Sequence, residues 1–201
     1  MKKYYMFNKP KGCITARTDE RHKTVMDYFP ESLREIIFPV GRLDKDTEGL
    51  LLLTNDGILC YDLMMPERKV SKTYFFWAKG EISEEKKREI ESGVAIYPGK
   101  DELTAPAKLE ILEEKTLSEI KEYLSEDEQK TANRRPQLPA FSGLLTITEG
   151  KKHQVKRMLK YAGCRVVYLK RLRIGALNLD KSLPLGSYRE LTEKELSALK
   201  N

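Results

Sequence analysis

The chain has 201 residues, 40% hydrophobic and 34% charged, with a formal net charge of +6. That is enough chain for one large domain or two small subdomains with a real core, and no apolar run approaches the roughly 20 residues a membrane helix requires. The start, "MKKYYMFNKPKG", lacks the apolar stretch of a secretion signal, and the three scattered cysteines, Cys13, Cys60 and Cys164, form neither a disulfide framework nor a CxxC metal site, which fits a reducing cytoplasm.

In chain order, "KYYMFNK" and "GCITA" predict two strands, joined by a turn at "KPKG". "TVMDYF" predicts a short helix. "IFPVGRLD" and "LLLLTN" predict strands that bracket a charged loop, and "GILCYDLMM" a helix stopped by Pro66. "SKTYFFWAKG", rich in aromatic residues, predicts a strand. "SEEKKREIESG" predicts a helix with Ser83 as N-cap and Gly93 as C-cap, and "VAIY" and "LTAPAKLEIL" predict further strands. Residues 113–142 are expected to be an insertion or mobile loop. Leu117, Ile120 and Leu124 keep a helical spacing there, but "SEDEQKTANRRPQLPAFS" has the polar and proline content of a long loop. "GLLTITEG" predicts a strand and "KKHQVKRMLKYAG" an amphipathic helix, with Val155, Met158, Leu159 and Ala162 on one face and Gly163 closing it. "CRVVYLKRLRIGALNL" reads as extended and "TEKELSALK" as a final helix. Strands and helices mix without regular βαβ alternation, which favours α+β with a mixed, mostly antiparallel sheet flanked by helices.

Charge is unevenly distributed. From Gly150 to Leu179 there are nine Lys or Arg and no Asp or Glu, whereas Glu110 to Glu128 is strongly acidic. Lys152, Lys156 and Lys160 recur every fourth residue as a basic stripe. A basic block on a helix and the following strand suggests a polyanionic partner, RNA or DNA.

The stretch "GRLDKDTEGLLLL" sets Asp44, Asp46 and Glu48 two apart beside an apolar run. An EF-hand would need a carboxylate at its twelfth position, where Asn55 stands, and a helix before the loop, where Pro39, Val40 and Gly41 indicate a strand. If the strand runs through "GRLD", alternation points Arg42 and Asp44 the same way and sends Leu43 to the core. A cation beside a carboxylate favours the ionised form, and such a carboxylate can act as nucleophile or general base; it can equally be a structural ion pair at a strand end. Tyr74 could offer a flat ring to a base, though core is the ordinary fate of any one ring in "KTYFFW". His22 and His153 are the only histidines, so a zinc site would need long-range assembly. There is no P-loop, GxGxxG or GxSxG, hence no sign of a nucleotide or redox cofactor.

Taken together, "NKPKG", "GRLDKDTEGLLLLTNDG", "KTY", "TITEGKKHQVKRM", "KRLRIGALNL" and "LPLGSYRELT" resemble the ordered motifs of the pseudouridine synthases, and in particular the branch that modifies small-subunit ribosomal RNA. The resemblance runs from Tyr5 to about Leu199. It implies the pseudouridine synthase fold with a central active-site cleft, a single catalytic domain over 1–201 built of two subdomains, and a cytoplasmic, monomeric enzyme. That enzyme would isomerise a specific uridine in small-subunit (16S) ribosomal RNA, without metal or other cofactor. By the same resemblance Asp44 is the catalytic aspartate. Arg42 corresponds to a group that helps extrude the nucleotide or takes its place, and Tyr74 to the tyrosine that packs on the uracil. Lys156 falls on the basic residue that pairs with the aspartate, where many relatives carry Arg; the exchange keeps the charge and loses the bidentate fork. Lys9, Lys152, His153 and Gln154 are expected to contact RNA, as are Arg157, Lys160, Arg171 and Arg173. Asp44 would attack the anomeric carbon, add to the ring or remove a ribose proton. The branch commonly has a small RNA-binding domain before the catalytic part, and here the motifs start at once.

Overall fold

The computed structural model describes residues 1–200; Asn201, the last residue of the expected domain, lies outside them. In chain order the strands are β1 (Tyr4–Lys9), β2 (Phe38–Val40), β3 (Glu48–Thr54), β4 (Lys72–Lys79), β5 (Lys108–Thr116), β6 (Pro139–Ile147), β7 (Arg165–Ile174), β8 (Leu177–Asn178) and β9 (Tyr188–Glu190). The helices are α1 (Glu31–Arg34), α2 (Gly57–Met64), α3 (Glu84–Ser92), α4 (Glu126–Arg134), α5 (Gln154–Tyr161) and α6 (Glu193–Lys200), with 3-10 turns at Val25–Tyr28, Pro66–Arg68 and Leu117–Tyr123. The chain forms two compact units. The first is discontinuous, residues 1–72 with 170–201, and the second is residues 73–169. β4 and β7 carry the chain from one unit to the other.

In the first unit β3 pairs antiparallel with β1, and β1 with β9; β2 pairs with the end of β3 at Leu52–Thr54. The start of β3 pairs parallel with the second half of β7, Glu48 opposite Lys170 and Gly49 opposite Arg171. β3 is buried along its whole length. Leu50 and Leu52 join Met6, Val40, Leu59, Leu63, Ile174 and Leu177 on one side. Leu51 and Leu53 face the other way, opposite Phe7 and Tyr5 in register. Phe29 there packs on both of those rings and stacks on Tyr188 at 4.2 Å. A strand covered on both faces has no reason to alternate, and this accounts for the unbroken leucine run. α2 begins at Asp56, whose carboxylate accepts from the Ile58 and Leu59 amides.

The second unit orders its strands β5-β6-β4-β7. Alternation along β4 places Phe76 against Phe141, rings edge-to-face at 5.7 Å, and Trp77 in a cluster with Leu117, Ile120, Leu124, Ala132 and Ala140. That cluster corrects the reading of residues 113–142 as loop. The stretch holds the 3-10 turn with the expected Leu117–Ile120–Leu124 face, then α4, then the first half of β6. The overlooked signal is at Ser125, whose hydroxyl accepts from the Glu128 amide ahead of an acidic first turn. α3 has Ser83 and Gly93 as its caps, as expected.

Three predicted strands are absent or shortened. "GCITA" makes only an Ile14–Thr24 bridge and "VAIY" only an Ala95–Leu103 bridge. The strand through "FPV" stops at Val40, because Gly41 turns the backbone to φ 70°. Among the described residues no helix is long and apolar enough to cross a membrane.

Candidate active-site loop and basic helix

Residues 41–47 of the first unit form a loop, so Arg42 and Asp44 are not alternate positions of a strand, as the sequence suggested. What fixes the loop is hydrogen bonding. The Thr15 hydroxyl donates to the Leu43 carbonyl at 2.9 Å and accepts the Leu43 amide at 3.0 Å. Leu43 is buried as expected, Asp44 half-buried and Arg42 exposed. A turn closes the far side, with the Thr47 amide donating to the Asp44 carbonyl at 3.1 Å.

Beneath the loop lies Lys9, at the end of β1 and fully buried. Its ammonium donates to the carbonyls of Pro10 (3.0 Å), Asp44 (3.0 Å) and Thr47 (2.9 Å), and approaches that of Lys45 at 3.5 Å. Burial lowers its pKa, against the opposing pull of Cys13, Asp46, Asp44 and Glu48. The expected RNA contact is therefore corrected: Lys9 is an internal strut that ties β1 to the backbone of Asp44, since an ammonium has three donors and all are spent on carbonyls. Arg171 is likewise 3% exposed, with Nε donating to the Leu50 carbonyl at 2.8 Å, while Arg173 is exposed.

Gly49 sets where the loop leaves the sheet. Its φ is 103°, and a Cβ there would stand 2.2 Å from the Arg171 carbonyl oxygen and 2.8 Å from the Arg171 nitrogen. Only glycine permits this close parallel approach of β3 to β7. Lys9, Thr15 and Gly49 were not recognisable as loop anchors from spacing alone. The available signals were a lysine ending an otherwise apolar strand and a glycine inside one.

In the second unit Tyr74 lies near the start of β4 and is 9% exposed. The basic segment differs in detail from an unbroken stripe. α5 starts at Gln154, Lys152 lies in the preceding turn, and His153 adopts a left-handed φ of 55°. Val155, Met158 and Leu159 are buried, leaving Lys156 half-buried and Lys160 exposed. Gln154 is 3% exposed. Its amide donates to Glu149 at 2.7 Å and its carbonyl accepts the Lys151 amide at 2.9 Å, so it too is internal, not an RNA contact. Arg157 donates to the Ile96 carbonyl at 3.2 Å and lies 4.7 Å from the Tyr97 ring centre. Thus Arg42 and Asp44 share one loop of the first unit, and Tyr74 and Lys156 belong to the second.

Residues 3–161 match the family model of RNA pseudouridylate synthase. A Bacillus subtilis (strain 168) protein, the uncharacterized RNA pseudouridine synthase YtzG, is 48% identical over 98% of this chain and 72% of its own length. Ribosomal small subunit pseudouridine synthase A of Salmonella typhimurium is 35% identical, over 98% of this chain and 74% of its own. Among solved structures, a crystal structure of a pseudouridylate synthase superimposes with a TM-score of 0.81 at 34% identity, covering 99% of this chain and 74% of that one. The archaeal box H/ACA Nop10–Cbf5 complex matches at a TM-score of 0.56 and 15% identity, a likeness of fold alone. The chain belongs to the RNA pseudouridine synthase family, the isomerases that convert uridine to pseudouridine, and has their α+β fold.

Proposed function

We propose that this enzyme isomerises a uridine of small-subunit ribosomal RNA, with Asp44 as its catalytic carboxylate. The identity to the small-subunit synthase of Salmonella typhimurium supports the substrate. The observation that carries the assignment of Asp44 is the way its backbone is held. Thr15 grips the residue before it on both sides, and Lys9 binds its own carbonyl from beneath, while the side chain keeps partial access to solvent. A catalytic group needs this kind of fixed backbone, because about 1 Å of misplacement costs on the order of 100-fold in rate.

The reaction breaks the N1–C1′ bond, turns the uracil and joins C5 to C1′, with a proton passing from C5 to N1. A carboxylate at C1′, on the ring, or at a ribose proton serves that sequence. Arg42, exposed two residues away on the same loop, is suited to the space a turned-out nucleotide vacates. Tyr74 and Lys156 are assigned to the uracil and to the charge of the aspartate. Lys152, His153, Arg157, Lys160 and Arg173 are assigned to RNA phosphates, whose neutralisation offsets the few kcal/mol of base flipping.

The test is incubation with unmodified small- and large-subunit ribosomal RNA transcripts, followed by mapping of pseudouridine. The expected product is one or a few sites in the small-subunit transcript, absent with Asp44→Asn although RNA still binds. Turnover by that variant would remove Asp44 from the role, and product confined to the large-subunit transcript would remove the substrate.

A further inference from the structure

α2 exposes apolar side chains where a surface helix would ordinarily be polar. Leu59 and Leu63 turn inward, yet Ile58 is 70% exposed, Tyr61 61% and Met64 45%. Positions 58, 61 and 64 are successive i, i+3 neighbours, so they form one stripe along the helix. It does not end in open surface. The stripe runs into the Asp44 loop: a Cβ built on Gly41 would stand 2.8 Å from the Met64 sulfur, which places the thioether directly against that glycine. Gly41 precedes the exposed Arg42, and Asp44 follows within three residues, a reach of about 11 Å at full extension. Arg68 and Lys69, both exposed, follow the helix.

We infer that the Ile58–Tyr61–Met64 face of α2 is a stacking platform for a nucleotide next to the target uridine in single-stranded RNA. The inference rests on the function proposed above. A nucleobase has an apolar face and a polar rim, and stacking on an aromatic ring accepts it without reading its sequence. The stripe supplies the flat tyrosine ring, with isoleucine and a polarisable thioether on either side. The exposed cations at 42 and 69 suit the phosphates on its borders, while Arg68 is paired with Asp62 at 3.2 Å. The continuity of the stripe with the loop that carries Asp44 favours RNA over a protein partner, since a flipped-out uridine leaves unstacked neighbours beside the loop that takes it.

The experiment measures binding of single-stranded oligoribonucleotides of the mapped target sequence, with 2-aminopurine substituted in turn on either side of the uridine. The proteins are the wild type, Tyr61→Ala, Tyr61→Phe and Asp44→Asn. Tyr61→Ala is expected to bind about 5- to 100-fold more weakly and to lose the fluorescence change at one flanking position. Tyr61→Phe and Asp44→Asn are expected to keep both, and the thermal midpoint of Tyr61→Ala is expected to match the wild type because the ring is largely exposed. Equal affinity and an unchanged 2-aminopurine signal in Tyr61→Ala would overturn the platform while leaving the proposed reaction standing. Unchanged RNA binding together with loss of a wild-type dimer in sedimentation would instead put a second copy of this chain on the face. Failure of the proposed reaction would show separately, as wild-type protein that makes no pseudouridine.

Discussion

Gly49→Ala tests how the loop that carries Asp44 is joined to the sheet, and Gly12→Ala is its internal control. Gly49 and Gly12 share a positive φ, 103° and 93°, but the space a Cβ would enter differs. At Gly12 nothing lies within 4 Å; at Gly49 the Arg171 carbonyl oxygen is 2.2 Å away and its nitrogen 2.8 Å. Gly12→Ala therefore reports the cost of the positive φ alone, about 1–2 kcal/mol. Gly49→Ala adds a contact with backbone that cannot rotate aside, so β3 and β7 must part by roughly 1 Å, which adds a further ~2–3 kcal/mol by analogy with overpacked cores. The assay is urea unfolding of both variants at one temperature, with pseudouridine formation measured alongside. Gly49→Ala should be the less stable by about 2–3 kcal/mol and should also lose activity, because the loop holding Asp44 enters the sheet at this junction. Equal destabilisation by the two substitutions would refute the argument from close approach.

Lys9→Met keeps the aliphatic stem and removes the ammonium. The Asp44 carbonyl retains the Thr47 amide, but those of Pro10 and Thr47 lose their principal donor. A loss of about 2–4 kcal/mol is expected in urea unfolding, with a fall of at least ~10-fold in single-turnover rate; a variant as stable as wild type would deny Lys9 its role as strut. At the N-cap of α2, burial opposes the ionised Asp56, but hydrogen bonds from Lys2, Tyr4 and the Leu59 amide prevail and hold its pKa at about 2, below the ordinary 3.8. A depressed carboxylate stabilises the fold above the unfolded value and loses that contribution as pH falls from 3.8 towards 2. Asp56→Ala should therefore cost about 1–2 kcal/mol at neutral pH and flatten the acid limb of a plot of thermal midpoint against pH. Asp180 and Glu195, held low chiefly by Ser182 and by Arg189, keep their own share, so the limb shrinks without vanishing; an acid limb identical to wild type would contradict this.

Most elements were legible where a single physical signal dominated. The apolar period of α5, the caps of α3, the aromatic run of β4 and the leucines of β3 all correspond to observed elements. Reading failed where backbone geometry overrode composition. "GRLD" has the alternation of a strand, yet Gly41 at positive φ ends the strand first. α4 was masked by its polarity, because a short helix that buries only Ala132 and part of Glu128 shows little apolar period. For the site, the motifs nominate Arg42, Asp44, Tyr74 and Lys156, the set on which the proposed function rests. The basic count could not tell a lysine facing phosphate from one facing carbonyls. Lys9 looked like the former and is the latter, a distinction that depends on tertiary contacts across 35 to 38 residues.

The discontinuity of the first unit has a consequence during synthesis. β3 and β1 emerge early, but the segments that cover them in the sheet, Lys170–Arg171 and β9, come about 120 and about 180 residues later, respectively. At roughly 5–20 residues per second the open edges of these apolar strands wait on the order of 10 seconds on the ribosome. The 97 residues from Thr73 to Leu169 are released whole during that interval, so the nascent chain holds the full sequence of the second unit before the first has all of its strands.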